Sequence, residues 1–64
     1  MKPITVKIAF IRDDMEYRVP APNGKERGAY YTNDRDDALA TARHMYAGHG
    51  PHAFKIVRVT AWPK

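Results

Sequence analysis

Apolar residues occupy alternate positions in two early segments of the chain: Ile4, Val6, Ile8 and Phe10, followed by Met15, Tyr17 and Val19. A period of two predicts two β-strands, each with one buried face. Asp13 and Asp14 lie between them, and aspartate suits a tight turn because it tolerates left-handed backbone. With these two residues at the centre of the turn, Phe10 lies opposite Tyr17. The apolar sets of both strands then share one face of a hairpin.

A helical period follows between about Asp34 and Ala47. Apolar residues recur there at intervals of three and four and form one stripe: Ala38, Leu39, Ala42, Met45 and Tyr46. We expect this stripe to pack on the sheet. Asn33 is the expected N-cap, with Asp36 reaching back to it. Gly48 is the expected left-handed stop, in the turn from Gly48 to His52.

The last strand is predicted from Phe54 to Trp62. Its apolar positions change parity between Ile56 and Val57, which indicates either a bulge or a strand covered on both faces. Residues 20–28 form a loop rich in proline and glycine. Residues 29–32 either extend the second strand or form a short one of their own.

These elements predict an α+β fold with β-β-α-β order, in a single domain spanning residues 1–64. The sheet has three antiparallel strands, and the helix packs on one face of it. We expect the last strand to pair antiparallel with the first, because the helix carries the chain back across the sheet.

Composition narrows the range of functions. The 64 residues include no cysteine and no serine, so disulfide bonds, thiolate metal sites and serine nucleophiles are all excluded. We expect a protein of the reducing cytoplasm. No apolar run approaches the length of a membrane span, and the first residues do not resemble a signal peptide. No membrane association is expected.

The acidic cluster Asp34, Asp36 and Asp37 favours a helix start, since carboxylates there interact with unpaired N–H groups and the positive end of the dipole. A calcium loop beginning at Asp34 would need glycine and glutamate where Leu39 and Met45 stand.

Three histidines, His44, His49 and His52, raise the alternative of a zinc site, but their spacing matches no standard zinc motif. No constellation for acid/base catalysis is apparent either. We therefore expect no metal, no cofactor and no enzymatic activity.

The charge points to an acidic partner. Eleven Lys and Arg residues against seven Asp and Glu give a formal net charge of +4, which favours nucleic acid or an acidic protein surface. Lys7 and Arg18 are expected on the open face of the sheet, joined there by Lys55 or Arg58. Further basic residues, Lys25 and Arg27, lie in the long loop. Few aromatic residues remain for base stacking, which favours a protein partner.

The chain resembles the small early proteins by which T7-like lytic phages inhibit the host RNA polymerase. The similarity covers roughly residues 8–60, with two insertions here, at residues 21–28 and 48–52. It is carried by the segment Tyr17-Arg18-Val19-Pro20, by the spacing of Tyr31, Asp36, Ala38, Leu39, Ala42 and Tyr46, and by Phe54, Ile56, Arg58 and Val59.

The resemblance implies a hairpin, one helix and a final strand, in a protein that binds the jaw of the polymerase β′ subunit. In that family two arginines, two positions apart on the final strand, carry much of the contact. Arg58 matches the first, whereas Thr60 stands at the second. The family's acidic residue in the first strand corresponds to Ile11.

The sequence therefore predicts a non-catalytic phage or prophage protein in the host bacterial cytoplasm. It would bind and inhibit a host protein with an acidic surface through a basic strand surface, and the resemblance implies that this protein is RNA polymerase, bound at its β′ subunit. The residues expected to make contact are Arg58, Lys55, Lys7, Arg18, Lys25 and Arg27. The alternative is a small basic module that binds nucleic acid.

Overall fold

The computed structural model describes residues 4–49 and 52–63 of the chain. Within them lie four strands, β1 to β4, one helix, α1, and a short 3₁₀ turn at Glu26–Gly28. The strands are β1 (Ile4–Ile11), β2 (Glu16–Val19), β3 (Tyr30–Thr32) and β4 (His52–Val59), and α1 is Arg35–Met45. The strands form one sheet in the order β3-β2-β1-β4. The α+β class is confirmed.

The predicted hairpin register is confirmed. Phe10 pairs with Tyr17, and the neighbouring pairs of β1 and β2 follow the same antiparallel register. The connection is a turn in which the Met15 amide donates to the Arg12 carbonyl at 3.3 Å. Met15 itself has a φ of 52°, and this left-handed residue lets the chain enter β2. Asp13 and Asp14 therefore occupy the centre of the turn, as expected.

The sheet is not three antiparallel strands, and this part of the prediction is wrong. Residues 30–32 form a separate strand, β3, antiparallel to β2, and β4 pairs with β1 in parallel. The additional strand reverses the chain once more before the helix begins. β3 therefore runs in the same direction as β1. The helix α1 carries the chain from the end of β3 back across the sheet, so β4 also runs in this direction, as a helical crossover between parallel strands requires.

The change of parity in the last strand is explained by coverage of both faces. All eight residues of β4 pair with β1 in one continuous register, from Ile4 with His52 to Ile11 with Val59, so there is no bulge within β4. Ile56 and Val57 point to opposite faces, and both are partly buried. The second of the two alternatives is therefore correct.

The helix begins one residue later than the predicted cap requires. Asp34, not Asn33, is the N-cap, and its carboxylate accepts hydrogen bonds from the amides of Asp36 and Asp37 at 2.9 and 3.1 Å. This geometry satisfies two N–H groups that a helix leaves unpaired at its start. The predicted left-handed stop after the helix is confirmed, because Gly48 has a φ of 86°, which lies in the left-handed region. The rest of the predicted turn, residues 50 and 51, lies outside the described residues.

Replacing Asp34 by alanine is expected to lower the free energy of unfolding by about 1 kcal/mol, since the two amides then lose their acceptor. The matched variant Asn33→Ala should cost much less, because Asn33 is exposed and is not the cap. Chemical denaturation of both variants measures the difference. Equal losses in the two variants would contradict the assignment of the cap.

The core lies between α1 and one face of the sheet. Its buried members are Val6, Ile8, Val19, Ala38, Ala42 and Tyr46. Alanines on the helix allow it to approach the β-branched residues of the strands closely. The Tyr46 hydroxyl, at the end of the helix, donates to the Pro20 carbonyl at 2.6 Å and so connects the helix to the end of β2. Burial raises the pKa of this hydroxyl above its usual value.

The far face of the sheet, opposite the helix, is also covered in part. Ile11 is 0% exposed and Ala9 is buried, although both point away from α1. The chain after β4 continues beside the turn, where the Asp13 amide donates to the Thr60 carbonyl at 3.0 Å. It then places the Trp62 ring over Arg18. The far face is therefore less open than the sequence suggested.

Candidate functional site

The basic residues predicted to make contact do not share one surface. Lys7 and Lys55 lie directly opposite each other in the parallel β1–β4 pair, exposed on the far face. Lys25 and Arg27 are exposed in the loop before β3. Arg58 has the parity of Ile56, which packs against the core, so Arg58 projects from the helix side of the sheet.

Arg18 lies on the far face, but its guanidinium is already occupied. Its Nη2 and Nε donate to Glu26 Oε1 at 2.6 and 3.1 Å, and its Cζ lies 4.5 Å from the centre of the Trp62 ring. The Arg18 side chain is only 11% exposed. These contacts connect β2, the loop and the C-terminal segment. Arg18 therefore holds the fold together and has little surface left for a partner.

Glu26 is held in its charged form by the same cluster. The Tyr31 hydroxyl donates to Glu26 Oε2, and this hydrogen bond, followed by those from Arg18, lowers the pKa of the Glu26 carboxyl below its ordinary value. The loop fits closely as well, because a Cβ on Gly28 would lie 2.8 Å from the Ala21 Cβ. The long loop is thus packed against the far face along part of its length.

The candidate site is a cleft on the helix side of the sheet, beside the start of α1. Its volume is about 590 Å³, and it is lined by Phe10, Arg12, Tyr17, Arg35, Ile56 and Arg58. We call this feature the arginine cleft.

Sheet register explains how the arginine cleft forms. Arg58 on β4 pairs with Phe10 on β1, and Phe10 pairs with Tyr17 on β2, so the three side chains form a row across three strands. The rings of Phe10 and Tyr17 lie 4.8 Å apart at an angle of 45°. Arg12 comes from the turn beyond this row, and Arg35 is the first residue of the helix. Phe10 and Tyr17, together with Ile56, thus form the floor of the cleft. The guanidinium groups of Arg12, Arg35 and Arg58 lie around this floor.

The arginine cleft is strongly basic. Arg12, Arg35 and Arg58 are exposed, and none of them forms an ion pair with another residue that the structure describes. Among the described residues that line the cleft, none is acidic. Guanidinium groups in such a setting bind carboxylate or phosphate oxygens through paired hydrogen bonds and also stack on aromatic rings. The cleft is therefore suited to an anionic ligand.

Sequence reasoning identified Arg58 but missed Arg12 and Arg35. Arg35 did carry a signal, because a cation in the first turn of a helix faces the positive end of the dipole. Arginine at that position between two aspartates suggests a role other than helix stability. Arg12 carried no comparable signal, since a basic residue in a hairpin turn is ordinary.

The acidic residues and histidines do not combine into a site. Asp34 caps the helix, and Asp37 accepts a hydrogen bond from the Tyr30 hydroxyl at 2.6 Å. His49 and His52 lie with their rings 6.2 and 5.1 Å from the Tyr46 ring. Across residues 4–49 and 52–63, no group of three His, Asp or Glu side chains is placed to hold a metal ion. In the same part of the chain, no helix has the length and apolar character needed to cross a membrane.

Comparison with known proteins adds no relative. The chain matches no protein family, no curated protein and no solved structure.

Proposed function

We propose that this protein is a non-catalytic phage or prophage protein that binds an acidic surface of a host protein in the bacterial cytoplasm and inhibits it. The observation that carries this proposal is the arginine cleft, in which three guanidinium groups without an ion pair to any described residue surround an aromatic floor. A ligand with carboxylates would form charge-assisted hydrogen bonds there. The host partner that we propose is RNA polymerase, through its β′ subunit.

The choice of RNA polymerase rests on the sequence resemblance and on the position of Arg58. The arginine that matches the family's contact residue lies in the arginine cleft, on β4 at an edge of the sheet. Thr60 replaces the family's second arginine, but Arg12 and Arg35 supply two further guanidinium groups beside Arg58. Ile11, at the position of the family's acidic residue, is fully buried on the far face and is unavailable for contact.

Inhibition of the host protein would follow because the bound chain occupies its acidic surface. A protein of this size has room to cover one acidic surface, and a surface engaged by several arginines is unavailable to the nucleic acid or protein segments that it normally contacts. Electrostatic attraction also accelerates such an encounter and makes it sensitive to salt.

The test is retention of purified bacterial RNA polymerase on the immobilised full-length chain. We expect retention at about 0.1 M salt and progressive loss as salt is raised, because the contact is between exposed charges. The free chain should also reduce promoter-dependent transcription in a purified system. Absence of both retention and inhibition across polymerases from several bacterial hosts would refute RNA polymerase as the partner.

A second candidate function, nucleic-acid binding, is favoured by one observation on the far face. Lys7 and Lys55 are direct cross-strand neighbours, and like charges placed opposite each other destabilise a sheet. A phosphate backbone lying across them, extended by Lys25 and Arg27, would relieve this repulsion. Binding of DNA or RNA would weaken steeply with salt and would be lost in Lys7→Glu. No mobility shift at low salt would remove this candidate.

A further inference from the structure

We infer that the ligand of the arginine cleft is an extended segment of the partner in which two acidic side chains flank an aromatic one at alternate positions, so that all three share one face. This inference rests on the proposed function, and it specifies the chemistry of the partner's contact segment. It comes from three properties of the cleft: the number of its cations, the nature of its floor and its size.

The first property is charge. Three guanidinium groups and no carboxylate line the cleft in the part of the chain that the structure describes, so a single acidic side chain of the ligand would leave most of the positive charge uncompensated. Each arginine presents a planar fork that fits one carboxylate. At least two carboxylates are therefore needed. Each engages one guanidinium group, and the two carboxylates share the third guanidinium group.

The second property is the floor. Phe10, Tyr17 and Ile56 are only half-buried, and they lie between the cations. A run of acidic residues alone would leave this apolar surface in contact with water. An aromatic ring placed on the Phe10–Tyr17 pair would cover it, and the surrounding guanidinium groups favour an aromatic face.

The third property is size. The cleft is open to solvent, and its volume of about 590 Å³ leaves room for more than one side chain of a ligand. The row from Arg58 through Phe10 to Tyr17 crosses three strands, which at about 4.8 Å per strand spacing covers roughly 10 Å. In an extended segment, flanking side chains two residues apart are separated by about 7 Å. Because successive side chains of an extended segment point to opposite faces, the acidic residues stand two positions before and two positions after the aromatic residue, so that all three lie on the face that meets the cleft.

Phosphate is the competing ligand chemistry, because arginine clusters also recognise phosphorylated segments. An isolated phosphate would engage the guanidinium groups but leave the aromatic floor uncovered. The acidic and aromatic segment uses both parts of the cleft, and for this reason we favour it.

The test uses the full-length chain and short peptides with blocked ends. One peptide, the Asp-Phe-Glu peptide, carries these three residues at alternate positions, with glycine or serine at every other position. Two matched peptides carry Asp, Gly and Glu (Asp-Gly-Glu) or Asn, Phe and Gln (Asn-Phe-Gln) at the same three positions. Binding is measured by titration calorimetry and by the shifts of backbone amide NMR signals.

We expect the Asp-Phe-Glu peptide to shift the amide signals of Phe10, Tyr17 and Ile56, and both matched peptides to bind about tenfold or more weakly. Arg35→Gln should weaken the first peptide by a similar factor, and Arg27→Gln should leave it unchanged, because Arg27 lies in the loop before β3. Circular dichroism of both variants confirms that each is folded.

Three results would overturn the inference. Equal binding of Asp-Gly-Glu would show that the floor does not take an aromatic ring. Tighter binding of a phosphotyrosine peptide or of inorganic phosphate would identify phosphate as the ligand. If no peptide binds while RNA polymerase is still retained, the inference fails and the proposed function stands. If the Asp-Phe-Glu peptide binds the cleft but no polymerase is retained, the ligand chemistry holds and RNA polymerase is the wrong partner.

Discussion

Reversing the charge of Arg58 is expected to weaken binding of the host partner by at least about a hundredfold. A partner seated in the cleft would bury Arg58, and truncating one member of a buried, hydrogen-bonded charge pair in an interface costs about 2–5 kcal/mol. Glutamate adds repulsion against the partner's carboxylates. Arg58 also lies beside Phe10, which belongs to the floor of the arginine cleft. The new carboxylate would compete with the partner's carboxylates for the hydrogen bonds of Arg12 and Arg35.

The matched control for this variant is Lys55→Glu. Both positions are exposed, both lie on β4, and both substitutions change the net charge by the same amount. Lys55 has the opposite parity and projects from the far face, so its substitution should reduce affinity only through the general loss of positive charge. Equal losses in the two variants would show that net charge, and not the arginine cleft, determines binding.

Surface plasmon resonance with immobilised polymerase measures both affinities, and thermal unfolding confirms that both variants are folded. A third variant, Arg12→Gln, should lie between the two, since it removes one guanidinium group without adding a negative charge. An unchanged affinity of Arg58→Glu would refute the site outright.

Ile8→Ala is expected to lower the free energy of unfolding by about 2–5 kcal/mol, the usual cost of removing a large aliphatic side chain from a packed core. Ile8 is 0% exposed, lies on the inner strand β1 and belongs to the buried cluster that includes Ala38 and Ala42 of the helix. At about 0.05–0.15 kcal/mol per residue, a chain of this size has little stability to spare. A large fraction of the molecules should therefore be unfolded at 37 °C.

The same substitution at the exposed end of the same strand provides the control. Ile4 is 61% exposed, so Ile4→Ala should change stability by less than about 0.5 kcal/mol. Denaturant unfolding followed by circular dichroism measures both variants. Similar losses at Ile4 and Ile8 would contradict the position of the core.

Much of the local structure was predictable because it depends on neighbouring residues. The alternation around Asp13 and Asp14 was enough to predict the register of Phe10 with Tyr17, since only four residues separate the two strands. The stripe on α1 was equally readable, and Ala38 and Ala42 are fully buried as expected. The N-cap was wrong by one position, because Asn33 and Asp34 are both good caps and adjacent.

The direction of β4 could not be read from the sequence, because it depends on β3. Three residues contain too little periodicity to identify a strand, and β3 is stabilised mainly by its pairing with β2. Whether this strand forms decides how often the chain reverses before the helix. The sequence left these residues open between two alternatives, and the three-stranded sheet predicted without them had the wrong topology.

For the site, the chemistry was predictable from the sequence, but the set of residues that form it was not. Sequence alone indicated a small α+β protein with excess positive charge, Arg58 as a candidate contact residue, and no thiol or serine chemistry. Tertiary structure decided which basic residues act together. Arg18 is occupied by Glu26 and Trp62, while Lys55 and Arg58 lie on opposite faces. Arg12 and Arg35 are brought to Arg58 from a turn and a helix start, because sheet pairing and helix docking join segments that are distant in the chain.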